Sequence, residues 1–234
     1  MSLTNGDLYN TLKFLANKQQ LGGNIRINDF NTQLKTQSTI LLREKLAQKG
    51  TSAFLDDETN MFKKKGTLSF SGGNANIPAD YFRYDSIRVS GAYEDVEVLF
   101  SGEVSHRLQN AIDNPTTLFP VGEFIGSKFY IYPTTITSAD IVYYKQPTTP
   151  VFDYYIDGYG DIQYMPVGTT HELVAGEEYS DGSTSGTVTS VSVESEFGDD
   201  GKIDLLYLIG KAFGLNLQRG DIFQAMNQMQ NEGK

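Results

Sequence analysis

The chain has no cysteine and no tryptophan, and only two of its 234 residues are histidine. Without thiols there can be no disulfide, no zinc–thiolate site and no cysteine nucleophile. His106 and His171 each stand outside any nucleophile motif, so a structural or surface role is expected for both, and no Ser–His pairing is legible. Phosphate-cradling GxxxxGK and GxGxxG patterns are missing, and Gly158-Tyr159-Gly160 reads as a turn. No apolar run reaches the length of a bilayer. The start, MSLTNGDLYN, lacks the basic and apolar parts of a signal peptide, which leads us to expect assembly in a cytoplasm.

One further absence is local. The fifty residues from Val151 to Asp200 hold eleven acidic side chains and no Lys or Arg. Elsewhere both signs mix: residues 1–50 carry net +4, residues 51–150 net −4 and residues 201–234 net +1, for −10 in all. A field of this sign repels nucleic acid. It suits a solvated acidic surface, or a wall that stays near DNA without holding it.

What is present is an α+β pattern, with helices at both chain ends around a β-rich middle. Leu8, Leu12 and Leu15 predict a helix over Asp7–Gln20, capped by Asn5 or Asp7 and stopped by Gly22 and Gly23. Asn28 or Asp29 opens a second, Phe30–Gln48, ended by Gly50; its Lys35, Arg43, Lys45 and Lys49 are expected to be a solvated face. The aromatic and β-branched runs Phe129–Tyr132 and Ile141–Tyr144 predict strands joined by a hairpin or tight return over Pro133–Asp140, with an extended arm at Pro147 and Pro150. Strands are also expected at 68–70, 86–93 and 96–100, a short helix at Glu103–Asp113, and a hairpin at Asp153–Tyr164 with positive φ at Gly158 and Gly160. Residues 176–198 read as a mobile, Gly/Ser/Thr-rich, hairpin-like insertion. Helices Ile203–Phe213 and Asp221–Asn231 close the chain. The expected organisation is a single domain over 1–234: a helical part at 1–50, a β-rich body at 51–175, the insertion, and C-terminal helices at 199–234.

The remaining clusters favour structure over chemistry. Asp56-Asp57-Glu58 and Asp199-Asp200 precede helices, where carboxylates suit the helix dipole. Asp153, Asp157 and Asp161 recur around a glycine turn but lack EF-hand spacing and its closing Glu. Lys63-Lys64-Lys65 is short and isolated. No cofactor and no metal is expected, and no enzymatic activity.

Several stretches taken together carry a resemblance: FYIYP with YYKQPTTPVFDY, THELV at 170–174, VESEF at 193–197, the C-terminal LLYLIGKAFGLNLQRGDIFQAMNQMQ, and DFNTQL at 29–34. In order and layout they resemble the adaptor or ring proteins in the neck of crAss-like tailed bacteriophages and their relatives. Glu177–Ser192 departs from that pattern. The resemblance implies a virion protein assembled in the bacterial cytoplasm. It implies a homo-oligomeric ring, dodecameric in that pattern, between the portal protein and neighbouring tail rings, with genomic DNA passing unbound and no membrane contact. On this expectation Ile222, Phe223, Met226 and Met229 form a subunit or portal interface, and Glu177, Glu178 and Asp181 line a DNA channel. The alternative is a tail-fibre or adhesin-type β-module that stacks sugars on Tyr154, Tyr155, Tyr159 and Tyr164.

Overall fold

Thr4 and Asp7 begin the first helix by reciprocal capping. The Thr4 hydroxyl accepts the Asp7 N–H at 3.1 Å and the Asp7 carboxylate accepts the Thr4 N–H at 2.8 Å. The helix, α1, runs Asn5–Lys18, and α2 runs Ile27–Ala47 with Arg26 rather than Asn28 or Asp29 at its N-cap. The structure is a computed structural model that describes residues 3–18, 25–48, 58–218, 220–222 and 224–226. The expectations at Gly22, Gly23, Lys49, Gly50, Asp56 and Asp57 lie outside them.

The α+β class holds, with helices near both ends and strands between. The chain divides into two compact units where a single domain was expected. Met1–Met61 and Pro147–Lys234 form the first unit, and Phe62–Gln146 is inserted into it as the second. The Pro-bounded arm at Pro147 is where the chain returns to the first unit.

In the first unit, α2 packs on α4 (Asp199–Ala212) and α1 also contacts α4. Leu8, Leu12, Phe30, Leu34, Leu42, Leu205, Leu206 and Ile209 are fully buried, as their helical spacing demands. Gly214 ends α4 in a left-handed conformation with φ 78°. The Gly214 and Leu215 N–H groups return to the Lys211 and Gly210 carbonyls at 3.0 and 2.9 Å, closing the helix in a Schellman arrangement. Phe152 sits among Tyr9, Phe30 and Tyr164, with ring centroids 4.8–5.8 Å apart. Asn31 clamps its backbone from both sides, at 2.7 and 3.0 Å. Buried Lys45 is paired with Glu58 and, at 3.2 Å, with Asp204, so it is not part of the solvated face expected for that helix.

Two small sheets complete this unit. Strands β8 (Tyr154–Ile156) and β9 (Ile162–Tyr164) make the expected hairpin, and β11 (Glu178–Tyr179) adds to β8. Gly160 has φ 86°, while Gly158 is not among the positive-φ glycines. The turn is held instead by Asp157, whose carboxylate accepts the Tyr159 and Asp161 N–H groups. Strands β10 (Thr170–Leu173) and β12 (Gly186–Thr189) pair with each other. The expected mobile insertion is thus built into both sheets.

The second unit has one core between two sheets. Strand β7 (Ser138–Lys145) is central, flanked by β1 (Lys63–Ser69) and β3 (Tyr81–Arg88). The other sheet runs β2 (Asn74–Asn76), β6 (Lys128–Tyr132), β5 (Val121–Ile125), β4 (Glu97–Val98). Strands β6 and β7 therefore do not form a hairpin; they belong to different sheets and meet through Phe129, Ile131, Ile141 and Tyr143 in the shared core. The three lysines lie on edge strand β1, each answered by an aspartate: Lys63 by Asp85, Lys64 by Asp80 and Lys65 by Asp140, at 2.7, 2.6 and 3.2 Å. Helix α3 (Ser101–Gln109) inserts Val104 into this unit and leaves its other face in solvent.

Candidate functional site

The acidic segment uses most of its carboxylates as hydrogen-bond acceptors within its own unit. Asp153 is 2 % exposed and takes four donors. Its Oδ1 accepts the Tyr154 N–H at 2.9 Å and the Ser180 hydroxyl at 2.6 Å; its Oδ2 accepts the Val191 N–H at 2.8 Å and the Tyr179 hydroxyl. Four donors replace the water that a buried carboxylate loses. Burial, followed by the Asp153 carboxylate, pushes the Tyr179 phenol up to about 12. Glu194 accepts the Asn5 N–H at 2.8 Å at the start of α1, and also the Tyr164 hydroxyl, whose pKa burial and this carboxylate hold well above its usual value. Glu196 accepts the Thr148 N–H and Asp199 the Leu3 N–H. Asp153, Asp157 and Asp161 do not converge, and no group of three His, Asp or Glu side chains among the described residues is placed to hold a metal ion.

The expected channel residues separate. Glu177 is largely buried: it accepts the Val174 N–H at 3.0 Å and bonds the His171 ring at 2.8 Å. The backbone bond first, and His171 second, hold its carboxyl below the usual range. It closes a turn within its own unit. His171 in turn stacks on Tyr155, 4.0 Å between centroids. Glu178 and Asp181 are exposed, and the Ser183 hydroxyl first and its backbone N–H second lower the Asp181 pKa.

The expected interface residues also divide. Ile222 is fully buried within this chain, Ala225 beside it is 2 % exposed, and Met226 is half-buried. Ile222 therefore packs within this chain. Phe223 and Met229 lie outside the described residues.

The surface that sequence reasoning missed lies on the second unit, between residues 93 and 121. Ile112 is 92 % exposed, Phe100 83 %, Tyr93 72 % and Phe119 53 %. The backbone that presents them is tied down: the Tyr93 N–H donates to the Leu118 carbonyl at 3.1 Å and the Glu97 N–H to the Pro120 carbonyl at 3.1 Å. Tyr93 and Phe119 rings lie 5.8 Å apart. Beside α3 this frame encloses a hollow of ≈ 400 Å³ lined by Glu94, Asp95, Glu97, Asp113, Ile112 and Phe119, among others. A second hollow, ≈ 380 Å³, adjoins it through Glu97, Arg107 and Asp113. Arg107 is the cation of this groove and is bonded to Glu97 at 2.8 Å. Tyr93 and Phe100 read as the ends of strands over 86–93 and 96–100 and Ile112 as part of a helix over Glu103–Asp113, whereas all three lie outside the strands and the helix that form there. No protein-family model matches the chain, and no curated protein matches it in sequence.

Proposed function

We propose that this chain is a virion structural protein that forms an oligomeric ring in the neck of a tailed bacteriophage, between portal and tail, around the path of the DNA. The neck assignment rests on the resemblance of its ordered segments to crAss-like ring proteins. The observation that carries an assembly role is the 93–121 surface: Tyr93, Ile112 and Phe119, large apolar side chains left in water beside one hollow. Contiguous exposed apolar surface rimmed by polar groups marks protein contact. The sugar-stacking alternative is less favoured, because Tyr154 and Tyr164 stack on Phe152 and Tyr155 on His171, and Tyr159 is the one of the four that is fully exposed, at 96 %.

Negative-stain imaging of the purified protein, followed by reconstruction of the virion neck, tests the proposal. Rings with a central channel are the expected result. Elongated trimers, or density for this chain only in fibres, would overturn it.

A further inference from the structure

We infer that the groove beside α3 receives the exposed cationic face of α2 from a second copy of this chain, in a head-to-tail contact. This rests on the reading of the protein as a ring subunit and names the two surfaces that would build the ring. The groove combines the exposed apolar side chains Ile112 and Phe119 with carboxylates in excess: Arg107 is bonded to Glu97 and Arg88 stands 4.0 Å from Asp95, while Glu94 and Asp113 form no salt bridge among the described residues. Its occupant should be cationic. The same chain supplies such a surface. Residues 1–50 carry net +4, and Lys13, Lys18, Arg26, Lys35 and Arg43 are exposed. None of these five forms a salt bridge among the described residues.

Helix α2 offers the longest cationic face. Lys35, Thr39 and Arg43 recur at every fourth position, so they run along one side of the helix. Its exposed acids, Asp29 and Glu44, fall outside that four-residue row, so the row itself carries only cations. The groove and this face are different surfaces on different units. A contact between them is heterologous, and repetition of a heterologous contact gives a ring when the rotation closes. Opposite charge would set partner and register, while the apolar side chains supply buried area.

Charge reversal tests this on the full-length protein. Glu94→Lys with Asp95→Lys should weaken self-association by about a hundred-fold, as should Lys35→Glu with Arg43→Glu, because like charges are then opposed. All four substitutions together should recover association to within about ten-fold of the parent. Sedimentation velocity at low and high salt gives the readout, and the parent should dissociate as salt rises. A zero-length carboxyl–amine crosslinker on the unmodified protein is independent of any variant's folding. It should join Lys35 to Glu94 or Asp95 between copies, and crosslinked assemblies lacking that link would overturn the contact. Rings that form normally with either pair reversed would overturn the contact while leaving the ring reading intact. A parent that stays monomeric at about 100 µM in low salt would overturn both.

Discussion

At the scale of single residues, this protein answers the question of what an acidic stretch without cations is for. Asp153 gathers two hydroxyls and two backbone N–H groups in the interior, so its charge organises a loop instead of a surface. Asp153→Asn keeps the size but turns a donor toward donors. We expect a loss of about 3 kcal/mol in urea unfolding; a loss under about 0.5 kcal/mol would show that the network contributes little. The Tyr179 proton gives a second handle. Its folded pKa, about 12, lies above its unfolded value of 10.0, so the folded state holds the proton more tightly. That stabilisation is complete below pH 10 and fades as pH rises toward 12. Stability should fall across this window, and Tyr179→Phe should fall less steeply there, as read by melting temperature against pH. An unchanged slope would remove Tyr179 from the alkaline transition. On the acid side, Asp157, Glu177 and Asp181 have lowered pKa values, so their contribution is present above the ordinary carboxylate range and is lost as pH falls through their folded values.

At the scale of elements, local rules and long-range packing give opposite answers at Gly6. Within a helix Gly→Ala is worth up to about 1 kcal/mol of stability, and Gly6 is the second residue of α1. Here an added Cβ would stand 2.6 Å from Cδ1 of Tyr164, a ring fixed by stacking on Phe152 and by its bond to Glu194. We expect Gly6→Ala to destabilise by about 1–3 kcal/mol; a stabilised variant would mean that the Tyr164 ring yields freely. Helices α1, α2 and α4 were legible because their partners recur within a turn or two, as Leu8, Leu12 and Leu15 do. What escaped was pairing at long range. Lys63-Lys64-Lys65 reads as a solvated run until Asp80, Asp85 and Asp140 are brought to its strand by folding. Strands β6 and β7 follow each other in sequence, yet β6 pairs with its preceding neighbour β5 and the distant β2, and β7 with the distant β1 and β3. The groove was invisible for the same reason, since α3 and residues 110–120 become its walls only once β4 and β5 are paired.

At the scale of the whole molecule, the division into two units has a thermodynamic consequence. The inserted unit leaves and re-enters the host at neighbouring points: the Lys145 N–H donates to the Phe62 carbonyl at 2.8 Å. If Phe62–Gln146 unfolds, the host carries a long loop between Met61 and Pro147, and loop-closure entropy grows only slowly with length. Each unit also owns a core, with Ile131 and Ile141 fully buried in one and Leu34 and Ile222 in the other. We therefore expect calorimetry of the intact chain to resolve two transitions in place of a single two-state one. Ile141→Ala should remove about 3 kcal/mol from one transition and leave the other in place. Ile222→Ala should do the same to the opposite transition, because that side chain is buried within its own chain. This last outcome also decides the fate of the C-terminal segment. An Ile222→Ala protein with unchanged melting but impaired association would restore the segment to an interface role. A single transition shifted equally by both substitutions would show that the two cores unfold as one.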